Sequence, residues 1–216
     1  MRIGILGAGR MTRALSGHWV RAGHEVMIAG RSPEKAARLP SELGARTGTL
    51  AEAAAFGEIV LLAVRYEGVD STLVGAGAAN AKLADKVLID CNNPVEVQRF
   101  TLVRSDEGSL AQHIAAVSGA RVVKAFNLAH FSVWRDGPRY GGRPLTVPIA
   151  GDEQAKPIAA ELVEAVGGTA LDAGGLEHAA YLEAMGAVVI RALFGGADPT
   201  TTFQLAVADG IRVGTG

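Results

Sequence analysis

The stretch from Ile3 to Thr12, IGILGAGRMT, constrains the fold more tightly than any other part of the chain. Ile3, Ile5 and Leu6 form a short apolar run, the mark of a buried strand, and Gly7-Ala8-Gly9 follows at once. Gly7 permits a tight turn out of the strand. Gly9 has no side chain, so the backbone can approach a pyrophosphate whose charge then lies at a helix N-terminus. That helix is expected over residues 12–21, with Ala14, Leu15 and Val20 apolar, and Gly23 stops it before a second strand from Glu25 to Ala29. Strand, glycine turn, helix and strand in this order give the motif its meaning as a dinucleotide fingerprint. The third fingerprint position, normally Gly or Ala, is Thr12, which predicts looser helix–sheet packing or a hydroxyl turned toward the phosphates. No targeting segment is expected ahead of the first strand.

The end of the second strand distinguishes the two dinucleotides. An NAD site places Asp or Glu there to accept hydrogen bonds from the ribose hydroxyls. This chain has Ala29 and Gly30, then Arg31, Ser32 and Lys35, and the first acid, Glu34, falls within the next expected helix. An acid would repel a 2′-phosphate, whereas Arg31, Ser32 and Lys35 would bind it. Charge-assisted hydrogen bonds contribute about 1.5–3 kcal/mol each. One or two of them favour NADP by about ten- to a thousandfold.

A chain of 216 residues, 49% of them apolar, is long enough for one well-cored domain or a domain and a half. No uncharged apolar run reaches the ~18 residues of a membrane span. The net charge of −1 argues against a nucleic-acid or membrane-surface partner. Cys91 is the single cysteine, so neither a disulfide framework nor a thiolate metal site is expected, and a cytoplasmic location is the simplest expectation.

Apolar and helical segments keep alternating. Residues 59–64 are continuously apolar, as a strand buried on both faces must be. A helix near residues 68–79 and strands at 86–90 (KVLID) and 122–126 (VVKAF) follow. This alternation predicts an α/β fold, a Rossmann-type doubly wound parallel sheet with right-handed crossovers, over residues 1–128. Residues 129–196 read as a small C-terminal extension that completes the sheet and a cleft. They hold a strand at 145–150 whose Pro148 suggests a position near an edge, a helix at 154–166, a short strand at 169–171 and one long helix at 176–194. Residues 197–216 have no period and no assigned role. Arg135, Arg139 and Arg143 make a basic loop suited to an anionic tail or to solvent alone.

With these pieces in order, the chain resembles the family of NADPH-dependent coenzyme F-420 reductases, through IGILGAGRMTRAL, AGRSPEKA, VLLAV, VLIDCNNP, RVVKAFN, VPIAGDEQAK and LDAGGLEHA. The resemblance implies hydride transfer between NADP and the deazaflavin coenzyme F-420, or a flavin, as a small-molecule acceptor, together with a homodimer. It implies Gly7, Ala8, Gly9, Arg10 and Met11 at the pyrophosphate, and Gly30, Arg31, Ser32 and Lys35 at the 2′-phosphate. Val64 and Arg65 would border the nicotinamide ribose, and Ala125 and Asn127 the nicotinamide. Two positions depart from the family pattern: Arg65 stands where proline is more usual, and Asn127 where the archaeal enzymes carry histidine.

Hydride transfer between stacked rings is chiefly a positioning problem and needs no nucleophile. The sequence accordingly offers no acid–base constellation. His130, in AFNLAHF, is the catalytic candidate; Tyr66 is a second group within reach of a cleft, while His113 and His178 read as surface or core groups on helices. Two alternatives stay open. One is an NADPH-dependent reductase of a small imine or carbonyl compound, which needs a proton donor such as His130 or Tyr66. The other is a non-catalytic NADP-binding regulatory module. The cofactor assignment predicts that Arg31→Ala raises the KM for NADPH far more than that for NADH in steady-state assays; equal effects would remove its basis.

Overall fold

Strands buried on both faces need helices on both sides, and the chain supplies them. A computed structural model describes residues 1–30, 44–103, 108–201 and 203, so Arg31, Ser32 and Lys35 lie outside the described residues. The first five strands are β1 (Arg2–Leu6), β2 (Glu25–Ala29), β3 (Arg46–Gly48), β4 (Ile59–Leu62) and β5 (Val87–Asp90). A short ribbon of β6 (Val95–Glu96) and β7 (Thr101–Leu102) precedes β8 (Arg121–Lys124). A second ribbon, β9 (Arg139–Tyr140) and β10 (Arg143–Pro144), precedes β11 (Thr146–Gly151) and β12 (Thr169–Asp172). The main sheet has the order β12-β11-β8-β5-β4-β1-β2-β3. The chain winds outward from β1 through β2 to β3, then returns to β4 on the other side of β1. The carboxyl ends of β1 and β4 therefore flank a topological switch point, where open α/β sheets bind ligands.

Alternating side chains feed two cores. Ile3, Ile5, Leu15, Trp19, Phe126 and Trp134 belong to one, packed under α1 (Arg10–Arg21), α5 (Phe131–Arg135) and α6 (Lys156–Ala165). Leu6, Val60, Leu62, Leu73, Leu88 and Ile114 belong to the other, under α2 (Leu50–Phe56), α3 (Val69–Gly75) and α4 (Leu110–Ser118). Thr49 and Ser109 open α2 and α4 with capping boxes closed by Glu52 and Gln112. No helix among the described residues is long and apolar enough to cross a membrane.

The structure corrects the sequence reading in three places. The sheet is mostly but not wholly parallel: β11 pairs antiparallel with β8, and β12 runs parallel with β11. Pro148 lies in the penultimate strand, near the edge of the sheet as expected. It is tolerated because β8 pairs only Ala150 and Gly151, leaving β11 paired on one side at the proline. The helix expected at 68–79 is a 3₁₀ turn (Tyr66–Gly68), α3 and a second 3₁₀ turn (Ala78–Asn80), divided at Gly77, whose φ is +87°. The long helix begins as another 3₁₀ turn (Leu176–His178) and continues as α7 (Ala179–Phe194).

A buried ion cluster docks α7 on the sheet. Lys124 and Asp90 are register partners on β8 and β5, both without solvent exposure. The Lys124 ammonium lies 2.5 Å from Asp90 Oδ2 and 2.9 Å from Glu183 Oε1 on α7, and it donates to the Asn92 carbonyl at 2.7 Å. Glu183 in turn accepts from the backbone N–H groups of Leu110 and Ala111 at 3.1 and 3.2 Å, satisfying the start of α4. Burial pulls the Lys124 pKa down, but the two carboxylates outweigh it and hold the ammonium above the ordinary lysine range. Replacing Lys124 with Met leaves two buried carboxylates facing each other without a cation. The expected cost is about 3–5 kcal/mol in urea denaturation; a loss below about 1 kcal/mol would show that the cluster is not integral to the fold.

Candidate functional site

The glycine turn is fixed by backbone approach on one side and open on the other. Gly7 donates its N–H to the Ala29 carbonyl at 2.8 Å, closing the turn between β1 and β2. Its φ is +131°, and a Cβ there would stand 2.1 Å from the Ala63 carbonyl oxygen, so only glycine fits. Gly9 caps α1 in extended conformation; no side chain caps the helix, and its first turn holds no acid. A Cβ on Gly9 would meet nothing within 4 Å. The amides of this helix start therefore face open space with the positive end of the macrodipole behind them, an arrangement suited to an anion. Thr12 is fully buried, and its hydroxyl donates to the Gly7 carbonyl at 2.8 Å. The hydroxyl ties helix to turn instead of facing phosphates, which corrects that expectation for this position.

Arg10, exposed at the first position of α1, lies 4.9 Å from the centre of the Phe131 ring, within cation–π range. The Phe131 and His130 rings are 3.9 Å apart, and His130 Nδ1 is 2.8 Å from the Ser132 hydroxyl. His18 on α1 contacts the Trp134 carbonyl at 2.9 Å, so α5 is fastened alongside α1 and brings His130 to the glycine turn. Burial, then the charges of Arg10 and Arg135, hold the His130 pKa below the ordinary histidine range. Each of these effects favours the neutral ring.

Polar side chains join the carboxyl ends of the central strands. Asn92, just after β5, accepts the Val64 N–H at 3.1 Å through Oδ1, and its Nδ2 donates to the Leu62 carbonyl at 3.1 Å and to Asp90 at 2.7 Å. Asn93 donates to the Asn127 carbonyl at 2.8 Å, while Asn127 Nδ2 donates to Asn93 Oδ1 at 2.8 Å and to the Leu182 carbonyl of α7 at 2.9 Å. These two acceptors fix which way the Asn127 amide points. Its Oδ1 is left buried with no hydrogen-bond partner among the described residues. Gly186 lets α7 pass close by: a Cβ there would meet Asn93 Oδ1 at 2.2 Å. Phe126, between Ala125 and Asn127, has a φ of +63°, held in place by edge-on contacts with Trp19 and Trp134. Burial, with the Asp90 charge beside it, pushes the Cys91 thiol up to about 12, so it carries no thiolate at neutral pH.

The sequence-predicted residues thus fall into two groups. Gly7, Ala8, Gly9, Arg10 and Met11 line the turn, with Gly30 just beyond β2 and His130 near Arg10. Val64, Ala125 and Asn127 sit at the carboxyl ends of β4 and β8, Ala125 fully buried and Arg65 exposed. Asn92, Asn93, Lys124, Glu183 and Gly186 were not singled out from the sequence. The available signal was a lysine inside an apolar run and an Asn-Asn pair directly after a strand. A cavity of about 340 Å³ opens at the same edge of the sheet, lined among others by Tyr66, Glu67, Asp70, Pro94, Leu110 and His113.

Comparisons with known proteins bear on the fold and the family. Residues 2–94 match the family described as NADP oxidoreductase, coenzyme F420-dependent. The chain is 28% identical over 212 residues to the F420-dependent NADP reductase of Methanothermobacter thermautotrophicus, covering 88% of each protein. It is 35% identical over 185 residues to the rat metalloreductase STEAP3, covering 85% of this chain but only 36% of that protein. A solved structure of a candidate F420-dependent NADP-reductase from Arthrobacter sp. FB24 superposes with a TM-score of 0.84 at 28% identity, covering 95% of this chain and 99% of that one. The proximity of Arg10 to His130 predicts that Arg10→Ala raises the His130 pKa toward its ordinary value, read by NMR titration of the ring protons. An unchanged titration would mean that the two groups do not sense each other.

Proposed function

We propose, from the match of residues 2–94 to the coenzyme F420-dependent NADP oxidoreductase family and the likeness to an F420-dependent NADP reductase, that the chain is a member of that family, an NADP-dependent oxidoreductase transferring a hydride between NADPH and a ring acceptor, coenzyme F420 or a flavin. The observation that carries the reading is the pair of unsatisfied groups at the carboxyl edge of the sheet. The uncapped start of α1 at Gly9 offers donors to an anion, and the buried Asn127 Oδ1 offers an acceptor to an amide. A dinucleotide has a pyrophosphate for the first and a nicotinamide carboxamide, whose amino group donates, for the second.

In this reading Gly7, Ala8, Gly9, Arg10 and Met11 hold the pyrophosphate, and Gly30, Arg31, Ser32 and Lys35 the 2′-phosphate. Val64 and Arg65 border the nicotinamide ribose, and Ala125 and Asn127 the nicotinamide. When bound, the reduced nicotinamide supplies the hydride. The chain's own residues supply orientation: Asn127 fixes the plane of the ring through the carboxamide, and the Asn93–Asn127 pair is itself held by α7. His130 remains the candidate for moving a proton. Burial and the nearby Arg10 and Arg135 charges favour its neutral ring, so it holds a proton weakly and gives one up readily. Orientation of this kind, not acid–base strength, carries most of the rate in hydride transfer between rings. Tyr181, Val188 and Phe194 are exposed along α7 and support a homodimer built on that helix.

The test is NADPH oxidation, followed by the absorbance of the reduced nicotinamide, with coenzyme F420, FMN, FAD and no acceptor. Turnover with at least one ring acceptor well above the acceptor-free rate is expected. Tight NADPH binding with no turnover by any of them would contradict the reading and favour a regulatory module.

A further inference from the structure

We propose that Gly186 on α7 is a specificity-determining position: by leaving room for Asn93 it keeps the Asn127 amide turned one way, so that the site selects a dinucleotide whose ring carries an amino donor. The inference rests on the hydride-transfer reading above and goes beyond it in naming what holds the selecting group in place. An asparagine amide has a donor end and an acceptor end of nearly equal size, so its neighbours decide which way it points. For Asn127 both neighbours are acceptors: its Nδ2 donates to Asn93 Oδ1 at 2.8 Å and to the Leu182 carbonyl at 2.9 Å. Two facing amides alone could turn over together and pair equally well. Here the main chain forbids it, because Asn93 Nδ2 donates to the Asn127 carbonyl at 2.8 Å. A backbone carbonyl cannot exchange its oxygen for a donor, so the Leu182 and Asn127 carbonyls fix both amides at once.

The helix supplies the space for this arrangement. Leu182 and Gly186 lie one turn apart on the same face of α7, above the pair. A Cβ at position 186 would stand 2.2 Å from Asn93 Oδ1 and 2.7 Å from Asn93 Cγ, well inside van der Waals contact. Asn93 has little freedom to retreat, since the Val95 N–H donates to its carbonyl at 2.9 Å and its side chain is tied to Asn127. The helix cannot simply lift either: Glu183 is bound to Lys124 and to the amides of Leu110 and Ala111. A side chain at 186 therefore displaces Asn93, and Asn127 loses one of the two acceptors that set its orientation. The amide then samples both directions, and an N–H stands part of the time where the oxygen belongs. A nicotinamide carboxamide matches either direction, by presenting its amino group or its oxygen. An acetyl group in its place has only the oxygen. Discrimination between these two rings is the property that Gly186 and Asn93 protect.

3-Acetylpyridine adenine dinucleotide phosphate is NADP⁺ with a methyl group in place of the amide nitrogen, which isolates that contact. Dissociation constants of both nucleotides are measured by calorimetry on the unaltered protein and on each variant. NADP⁺ is expected to bind about tenfold more tightly to the unaltered protein, the loss typical of leaving a buried acceptor unpaired. The ratio should fall to about two- to threefold in Gly186→Ala, where one of the two orienting bonds is lost. Asn93→Ala removes the same bond without adding atoms to the helix; it should lower the ratio alike, and it carries the test if Gly186→Ala does not fold. In Asn93→Ala/Gly186→Ala the added methyl enters vacated space, so the ratio should match that of Asn93→Ala alone. A merely structural role would weaken both nucleotides equally; a ratio unchanged by Asn93→Ala, or near one in the unaltered protein, would overturn the proposal. The hydride-transfer reading fails differently, by NADP⁺ binding with the full ratio and no reduction of coenzyme F420, FMN or FAD.

Discussion

A lysine with no solvent exposure, held between carboxylates from two different elements, sets the geometry on which the rest of the site depends. Withdrawing three charges from water costs several kcal/mol per ion, and only close, fully hydrogen-bonded geometry offsets it. Lys124 meets that condition: Asp90 and Glu183 flank it, the Asn92 carbonyl takes another of its protons, and the N-terminal amides of α4 take the remaining capacity of Glu183. A cluster this demanding accepts α7 in one register. With Glu183 fixed, Leu182 presents its carbonyl to Asn127 and Gly186 passes over Asn93. The amide of Asn127 is thereby oriented, and its free oxygen is a consequence of that docking.

The other end of the site obeys a simpler constraint. Gly7 is pressed against the Ala63 carbonyl and Gly9 against nothing, so the same short turn is closed toward the sheet and open toward solvent. Thr12 stiffens it by bonding the Gly7 carbonyl. Between the two ends lie Val64 and Asn92, whose hydrogen bond joins the exits of β4 and β5. Anion donors at one end and an amide acceptor at the other make a site shaped for an extended molecule with unlike ends.

Much of this was legible in the sequence because it rests on local rules. A glycine turn between an apolar strand and an amphipathic helix has few other uses, and the continuous apolar run at Ile59–Leu62 can only be a strand buried on both faces. What was not legible depends on pairs distant in the chain. The run from Thr146 to Gly151 looks the same whether it joins β8 parallel or antiparallel, because burial on both faces erases the alternation that would record direction. Lys124 reads as one charge in an apolar strand; only register with Asp90 and the approach of Glu183 reveal its partners. His113 looks like a surface group on α4 until the fold brings Asp70 and the cavity to it. The assignment of Arg31, Ser32 and Lys35 to a 2′-phosphate rests on sequence alone.

In the proposed function one dinucleotide spans the distance from Gly9 to Asn127. A crystal structure of the protein with NADP⁺ bound tests it most directly. Pyrophosphate oxygens are expected to accept from the backbone amides at the start of α1, with the carboxamide nitrogen within hydrogen-bonding distance of Asn127 Oδ1. A nicotinamide bound away from Asn127, with Oδ1 still unpartnered, would contradict it.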